Sequence, residues 1–182
     1  MLFHHYEFFI FLAAFTPVFA LTKGDVRLGW TTLASLFFYA WWYPPYALLI
    51  VVFVLMAWAG VRIVRRWPSL LPATIIISLL PLAAFKYTHF LLSVVDGLLG
   101  TAWTLPAWTL PLGVSFVTFT IVSLILDSRR DKAARPPPLL AISVYVTFFP
   151  HLIAGPILRG HQMLPQLSGM RIDRAAVVPA LY

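Results

Sequence analysis

The amino-acid sequence predicts an all-α, polytopic transmembrane helix bundle with a broken or re-entrant segment near 148–158. Three observations predict it. Of 182 residues, 61% are hydrophobic and only 10% are charged, too little charge to coat a water-soluble domain of this size. Apolar runs follow one another almost throughout, separated by short polar connections. Finally, FFPHLIAGPILRG (148–160) sets a histidine, an arginine, two prolines and two glycines into otherwise apolar sequence. Non-helical backbone at membrane depth survives only when buried in protein or lining a wet cavity.

A helix needs about 20 residues to cross a hydrocarbon core of about 30 Å. The candidate spans are 8–21, 28–43, 45–61, 70–85, 108–126 and 139–158. A segment at 88–100 carries Asp96 and reads as interfacial. The first run, FFIFLAAFTPVFAL, has the small residues Val18 and Ala20 of a secretion signal. Its leader MLFHHYE, however, has no Lys or Arg and contains Glu7, so the run reads as a retained membrane helix. FFYAWWYPPY (37–46) suits a headgroup-level end: Trp and Tyr favour the interface, and Pro44-Pro45 stops helix continuation. Its plain reading is an aromatic anchor.

Net charge is +7, from thirteen Lys/Arg against six Asp/Glu. The basic residues cluster at the ends of apolar runs, where topology and anionic lipid account for them. No basic helix interleaved with stacking aromatics is present, which argues against nucleic acid as a partner. Cysteine is absent, excluding disulfides and thiolate metal sites.

Arg62, Arg65 and Arg66 mark one connection, and Arg129, Arg130, Lys132 and Arg135 mark another. By the positive-inside rule both are cytoplasmic, with 127–138 as a cytoplasmic loop. Lys23 and Arg27 then fall inside and the N-terminus outside. A complete crossing at 139–158 would carry Arg159, Arg171 and Arg174 out, whereas a re-entrant one keeps them in. Pro150 removes a backbone donor, Gly155 permits unusual dihedrals, and Pro156 disfavours helix at Gly155.

Among polar residues, His151 lies inside that element, where an ionisable side chain marks a functional site or finds a nearby carbonyl. Arg159 reads as snorkelling from a segment end. His161 reads as solvated, and Lys86, Tyr87 and His89 as the interfacial end of a helix. His4 and His5 are adjacent in sequence and make a weak metal pair. Ser115 in LPLGVSFVTF lacks the glycine of a nucleophile elbow and reads as a small packing residue. No metal site is expected. A membrane enzyme and a transporter or flippase both fit these features, as does a noncatalytic membrane subunit.

LPLGVSFVTFTIVSLILDSRR (110–130) followed by FFPHLIAGPILRGHQMLPQL (148–167) resembles the membrane-bound O-acyltransferase family, in its bacterial alginate O-acetyltransferase branch. FFYAWWYPPY and AFKYTHF (84–90) fit the same pattern. Val117, Thr120 and Arg129 depart from it, standing where an aromatic residue, a glutamine and a tyrosine are common. The resemblance implies that 1–182 is the N-terminal portion of a longer membrane domain in the bacterial inner membrane. It also implies that the catalytic histidine falls beyond Tyr182, so that this segment alone is inactive. The implied reaction moves an acyl group, acetyl in the first instance, from acetyl-CoA or an acyl carrier to hydroxyls of an extracytoplasmic polysaccharide such as alginate. Envelope acetylation proteins would be partners, and no bound cofactor is implied. Pro150, His151, Gly155, Pro156 and Arg159 would line the substrate channel.

Overall fold

The computed structural model describes residues 6–100, 111, 113–130, 136–154 and 160–168. Among them every regular element is a helix: α1 (Tyr6–Leu21), α2 (Gly24–Trp42), α3 (Pro44–Arg66), α4 (Leu71–Leu99), α5 (Val114–Arg130), α6 (Leu139–Thr147), α7 (Phe149–Ala154) and α8 (Gly160–Ser168). A single 3-10 turn, Pro68–Leu70, links α3 to α4.

The punctuation residues account for the boundaries. Tyr43 is extended, with φ −158° and ψ 107°. Pro44 and Pro45 then occupy the first turn of α3, where a missing N–H costs nothing. At the far end of α4, Gly100 takes φ 66°, the left-handed cap glycine adopts without a Cβ clash. Gly113, at φ 71°, turns the chain into α5.

Three expected boundaries move. Runs 70–85 and 88–100 form one continuous helix of 29 residues, because nothing between Phe85 and Asp96 breaks a helix. Its length of about 43 Å exceeds a hydrocarbon core of about 30 Å, so the end bearing Asp96 projects beyond it. The segment expected at 108–126 is helical from Val114, after the turn at Gly113. Asp127–Arg130 form the last turn of α5 rather than the start of a loop.

The core centres on α3. Ile50, Phe53, Val54, Ala57, Val61 and Val64 are buried on one face of it, at the three- and four-residue spacing of a helical stripe. Val117, Ile121, Leu124 and Ile125 of α5 are buried in the same cluster, and α3–α5 is the most extensive helix contact. Gly60 permits the approach: a Cβ there would stand 2.7 Å from Ile125 Cδ1 and 3.2 Å from Thr74 Cγ2. In lipid, such close packing rather than water exclusion holds helices together.

Pro44–Arg66 and Pro68–Thr88 are long and apolar enough to cross a membrane. The apolar window of the second is only 17% buried in the protein, so its exposed Ile76, Ile77 and Leu80 call for lipid rather than a core. Arg65 and Arg66 in the last turn of α3 and Arg129 and Arg130 in the last turn of α5 lie at one end of the bundle, where Arg129 Nη1 donates to the Pro68 carbonyl at 3.0 Å.

Candidate functional site at the α6–α7 break

Sequence 139–158 breaks, but at Phe148. That residue has φ −53° and ψ 104° and ends α6. The cause lies two residues on. In a continuous helix Pro150 would have no N–H for the Val146 carbonyl, and its ring would collide with that carbonyl. Breaking at Phe148 puts Pro150 in the first turn of α7, where neither problem arises. Pro150 and His151 are therefore helical, and the irregular residue is Phe148, two positions before Pro150. Gly155, Pro156 and Arg159 lie outside the described residues.

The backbone donors around the break have specific partners. Phe148 N keeps the helical bond to the Val144 carbonyl and His151 N donates to the Phe148 carbonyl, both at 3.0 Å. Phe149 N turns to another helix and donates to Ser35 Oγ of α2 at 3.4 Å. Ser35 is fully buried and itself donates to the Thr31 carbonyl at 2.8 Å. One turn lower, Thr31 Oγ1 donates to the Arg27 carbonyl at 2.9 Å. Arg27 is also buried; its Nε donates to the Thr22 carbonyl at 2.8 Å and its guanidinium lies 5.0 Å from the Phe19 ring centroid.

Arg27, Thr31 and Ser35 recur every four residues and so share one helix face. They form a polar seam about 12 Å long, from the start of α2 to the break. α6 covers a similar distance, about 12 Å between Leu139 and Thr147. The break thus sits well inside the bundle. Sequence reading treated Arg27 as a topology marker and passed over Thr31 and Ser35; the four-residue spacing was the available signal.

Aromatic packing anchors the upper side of the break. The buried Phe149 ring lies 5.1 Å from Phe11, 5.3 Å from Phe15 and 5.6 Å from Phe38, centroid to centroid. Pairs of this kind add about 0.5–1.5 kcal/mol each beyond burial. The half-buried imidazole of His151 stands edge-on to Phe148, at 5.1 Å and 86°, and makes no side-chain hydrogen bond among the described residues.

Beyond the break, the chain lies against α5. A Cβ on Gly160 would stand 2.8 Å from Leu124 Cδ1 and 3.8 Å from Asp127 Oδ2. Met163 and Leu167 of α8 are buried in the main core. Across the same end, Tyr145 of α6 shares a side-chain hydrogen bond with Ser123 and feels the charge of Asp127. Other singled-out residues stand apart: Lys86 and Tyr87 are exposed on the long α4, and Ser115 is half-buried in the first turn of α5. His4 and His5 lie outside the described residues.

Lipid-demanding helices around a polar, interrupted element define a helical membrane protein. Comparison narrows the class: over most of its length the chain is homologous to proteins described as probable alginate O-acetylases. It is 32% identical to the probable alginate O-acetylase AlgI of Pseudomonas aeruginosa, over 88% of this chain and 33% of that protein. Identity to the Azotobacter vinelandii AlgI is 30%, over 88% of this chain and 34% of that protein. A peptidoglycan O-acetyltransferase of Helicobacter pylori is 29% identical, over 76% of this chain and 32% of its own length. The chain thus spans about a third of the length of these relatives. No family model matches the chain, and no solved structure matches it.

Proposed function

We propose that this chain works in O-acetyl transfer to an extracytoplasmic polysaccharide, with 139–168 as a re-entrant element of the inner membrane that walls the substrate passage. The observation carrying this reading is the course of the chain around the break. α6 follows the basic end of α5, the helix breaks about 12 Å on, and Gly160 is back beside Leu124 and Asp127. Those residues stand within two turns of Arg130. Such an element brings polar backbone and the half-buried His151 to membrane depth without exposing unpaired groups to lipid.

In this reading an acetyl donor, acetyl-CoA or an acyl carrier, approaches from the basic end, and a sugar hydroxyl approaches from the opposite side. The acetyl carbon leaves its donor atom and bonds the sugar oxygen, while the hydroxyl proton passes to a general base. Pro150, His151, Gly155, Pro156 and Arg159 shape the passage, and His151 is a positioning group rather than the base. Excluding water there protects the acetyl group from hydrolysis.

The test exchanges the homologous third of the Pseudomonas aeruginosa alginate O-acetylase for this chain. Alginate from cells carrying the chimera should contain O-acetyl esters, reduced about tenfold or more when His151→Ala is added. A chimera that inserts in the membrane at normal abundance yet leaves alginate unacetylated refutes the reading.

A further inference from the structure

Exposed arginines from two helices flank the turn between α3 and α4. The Arg66 guanidinium lies 5.8 Å from the ring centroid of its neighbour Trp67. From the other side, Arg129 of α5 donates to the Pro68 carbonyl at 3.0 Å. That bond uses one of five N–H donors and pins the guanidinium beside the residue that follows Trp67. Arg66, Arg129 and Arg130 are exposed, and among the described residues none of them pairs with a carboxylate. The acid of the same end, Asp127, lies toward α8, its Oδ2 3.8 Å from where a Cβ on Gly160 would stand.

Directly below this patch, α4 presents an apolar face. Ser69, Leu70, Ala73, Ile76, Ile77 and Leu80 are exposed and recur at three- and four-residue spacing, so they share one side. Thr74, Ser78 and Leu82 on the other side are buried. Over Leu71–Leu80 the exposed face runs about 14 Å, close to the depth of one leaflet in a core of about 30 Å. A cationic cap therefore stands over an apolar strip of acyl-chain length.

We propose that the α3–α4 turn is a docking site for one anionic phospholipid. Arg129 and Arg66 donate to its phosphate and headgroup oxygens, Arg130 adds charge beside them, and its acyl chains lie along the exposed face of α4. A guanidinium suits a phosphate because its planar fork donates two parallel hydrogen bonds. Charge selects the headgroup: a zwitterionic lipid brings its own ammonium into a cluster of cations, and a phosphoglycerol headgroup does not. Exposed Trp67 suits the headgroup level. A lipid seated there ties the sparsely packed α4 to the ends of α3 and α5. The site needs only the two spans and their basic turn, so it stands or falls separately from O-acetyl transfer.

The test is native mass spectrometry of the full chain in detergent, with dioleoyl phosphatidylglycerol or the matching phosphatidylethanolamine. One phosphatidylglycerol should bind about tenfold more tightly than phosphatidylethanolamine. Each cation beside an anionic headgroup contributes about fivefold in affinity, so Arg66→Gln combined with Arg129→Gln should cost about tenfold or more. Lys86→Gln removes an exposed cation elsewhere on α4 and should leave binding unchanged. Equal binding of the two lipids, or an equal loss in Lys86→Gln, overturns the site. So does release of the lipid by millimolar coenzyme A or inorganic phosphate, which would assign a soluble phosphate compound to the turn.

Photo-crosslinking supplies a second readout and needs no variant to fold. In nanodiscs, phosphatidylglycerol carrying a diazirine midway along one acyl chain should mark 69–80 several-fold more than the comparably exposed Phe9 and Ile10 of α1. A matching phosphatidylethanolamine should mark both regions alike. The same bias from both lipids, or none from either, overturns the proposal.

Discussion

Ser35 and Thr31 are both buried hydroxyls on α2, yet they carry different loads. Thr31 donates to a carbonyl that already belongs to the helix ladder. Ser35 in addition accepts from Phe149 N, a donor left over by the break. Removing an acceptor from a buried N–H exposes its full desolvation cost, about 1–3 kcal/mol. Ser35→Ala should therefore lower Tm by several degrees, whereas Thr31→Val should shift it by no more than about 1 °C. Differential scanning calorimetry on the two variants checks this; equal shifts would mean that the Ser35–Phe149 bond contributes nothing. At this scale the sequence was half legible. Pro150 and His151 stand out because a proline or an ionisable residue in an apolar run has few innocent explanations. Ser35 does not, because its importance comes from a backbone donor 114 positions away, and no local pattern encodes that.

Helices were more legible than their limits. The apolar runs located α1, α2 and α3, and Pro44-Pro45 marked a true boundary because proline acts through local geometry alone. The failures share a cause. Lys86 and Asp96 suggested a second, interfacial segment, but polarity does not break a helix, and α4 continues to Gly100. In the same way, charge at Asp127–Arg130 suggested a loop where hydrogen bonding continues. Packing between elements was not legible at all: Gly60 is one glycine among nine, and only the crossing of α3 with α5 and α4 singles it out. Gly60→Ala puts a methyl 2.7 Å from Ile125 Cδ1, the free end of a flexible side chain, so part of the strain relaxes. Gly60→Val does not have that escape and should cost about 1–3 kcal/mol. Shortening the neighbour with Ile125→Val should recover part of the Gly60→Ala loss. A double-mutant cycle measured by urea unfolding should give a coupling of about 0.5–3 kcal/mol. Strict additivity would show that the α3–α5 contact is looser than its geometry implies.

For the whole molecule, the open question of topology becomes a question of sides. Charge alone posed it, since a full crossing and a re-entrant turn place Arg159, Arg171 and Arg174 differently. Three contacts bear on the answer. Arg129 reaches the Pro68 carbonyl, joining the basic ends of α3 and α5. Tyr145, two turns into α6, meets Ser123 of α5, and Gly160 faces Leu124 and Asp127. If 139–168 turns back inside the membrane, α8 shares a side with Pro68–Leu70 and lies opposite the C-terminal end of α4. The chain contains no cysteine, so single-cysteine reporters are clean. Ser69, Gln162 and Leu98 are exposed and make suitable positions. In oriented membrane vesicles, a membrane-impermeant maleimide should label Ser69→Cys and Gln162→Cys from one side and Leu98→Cys from the other. Labelling of Gln162→Cys together with Leu98→Cys would mean a complete crossing. The passage proposed for the acceptor would then lose its wall, because the break would face a different set of neighbours along an unreturned helix.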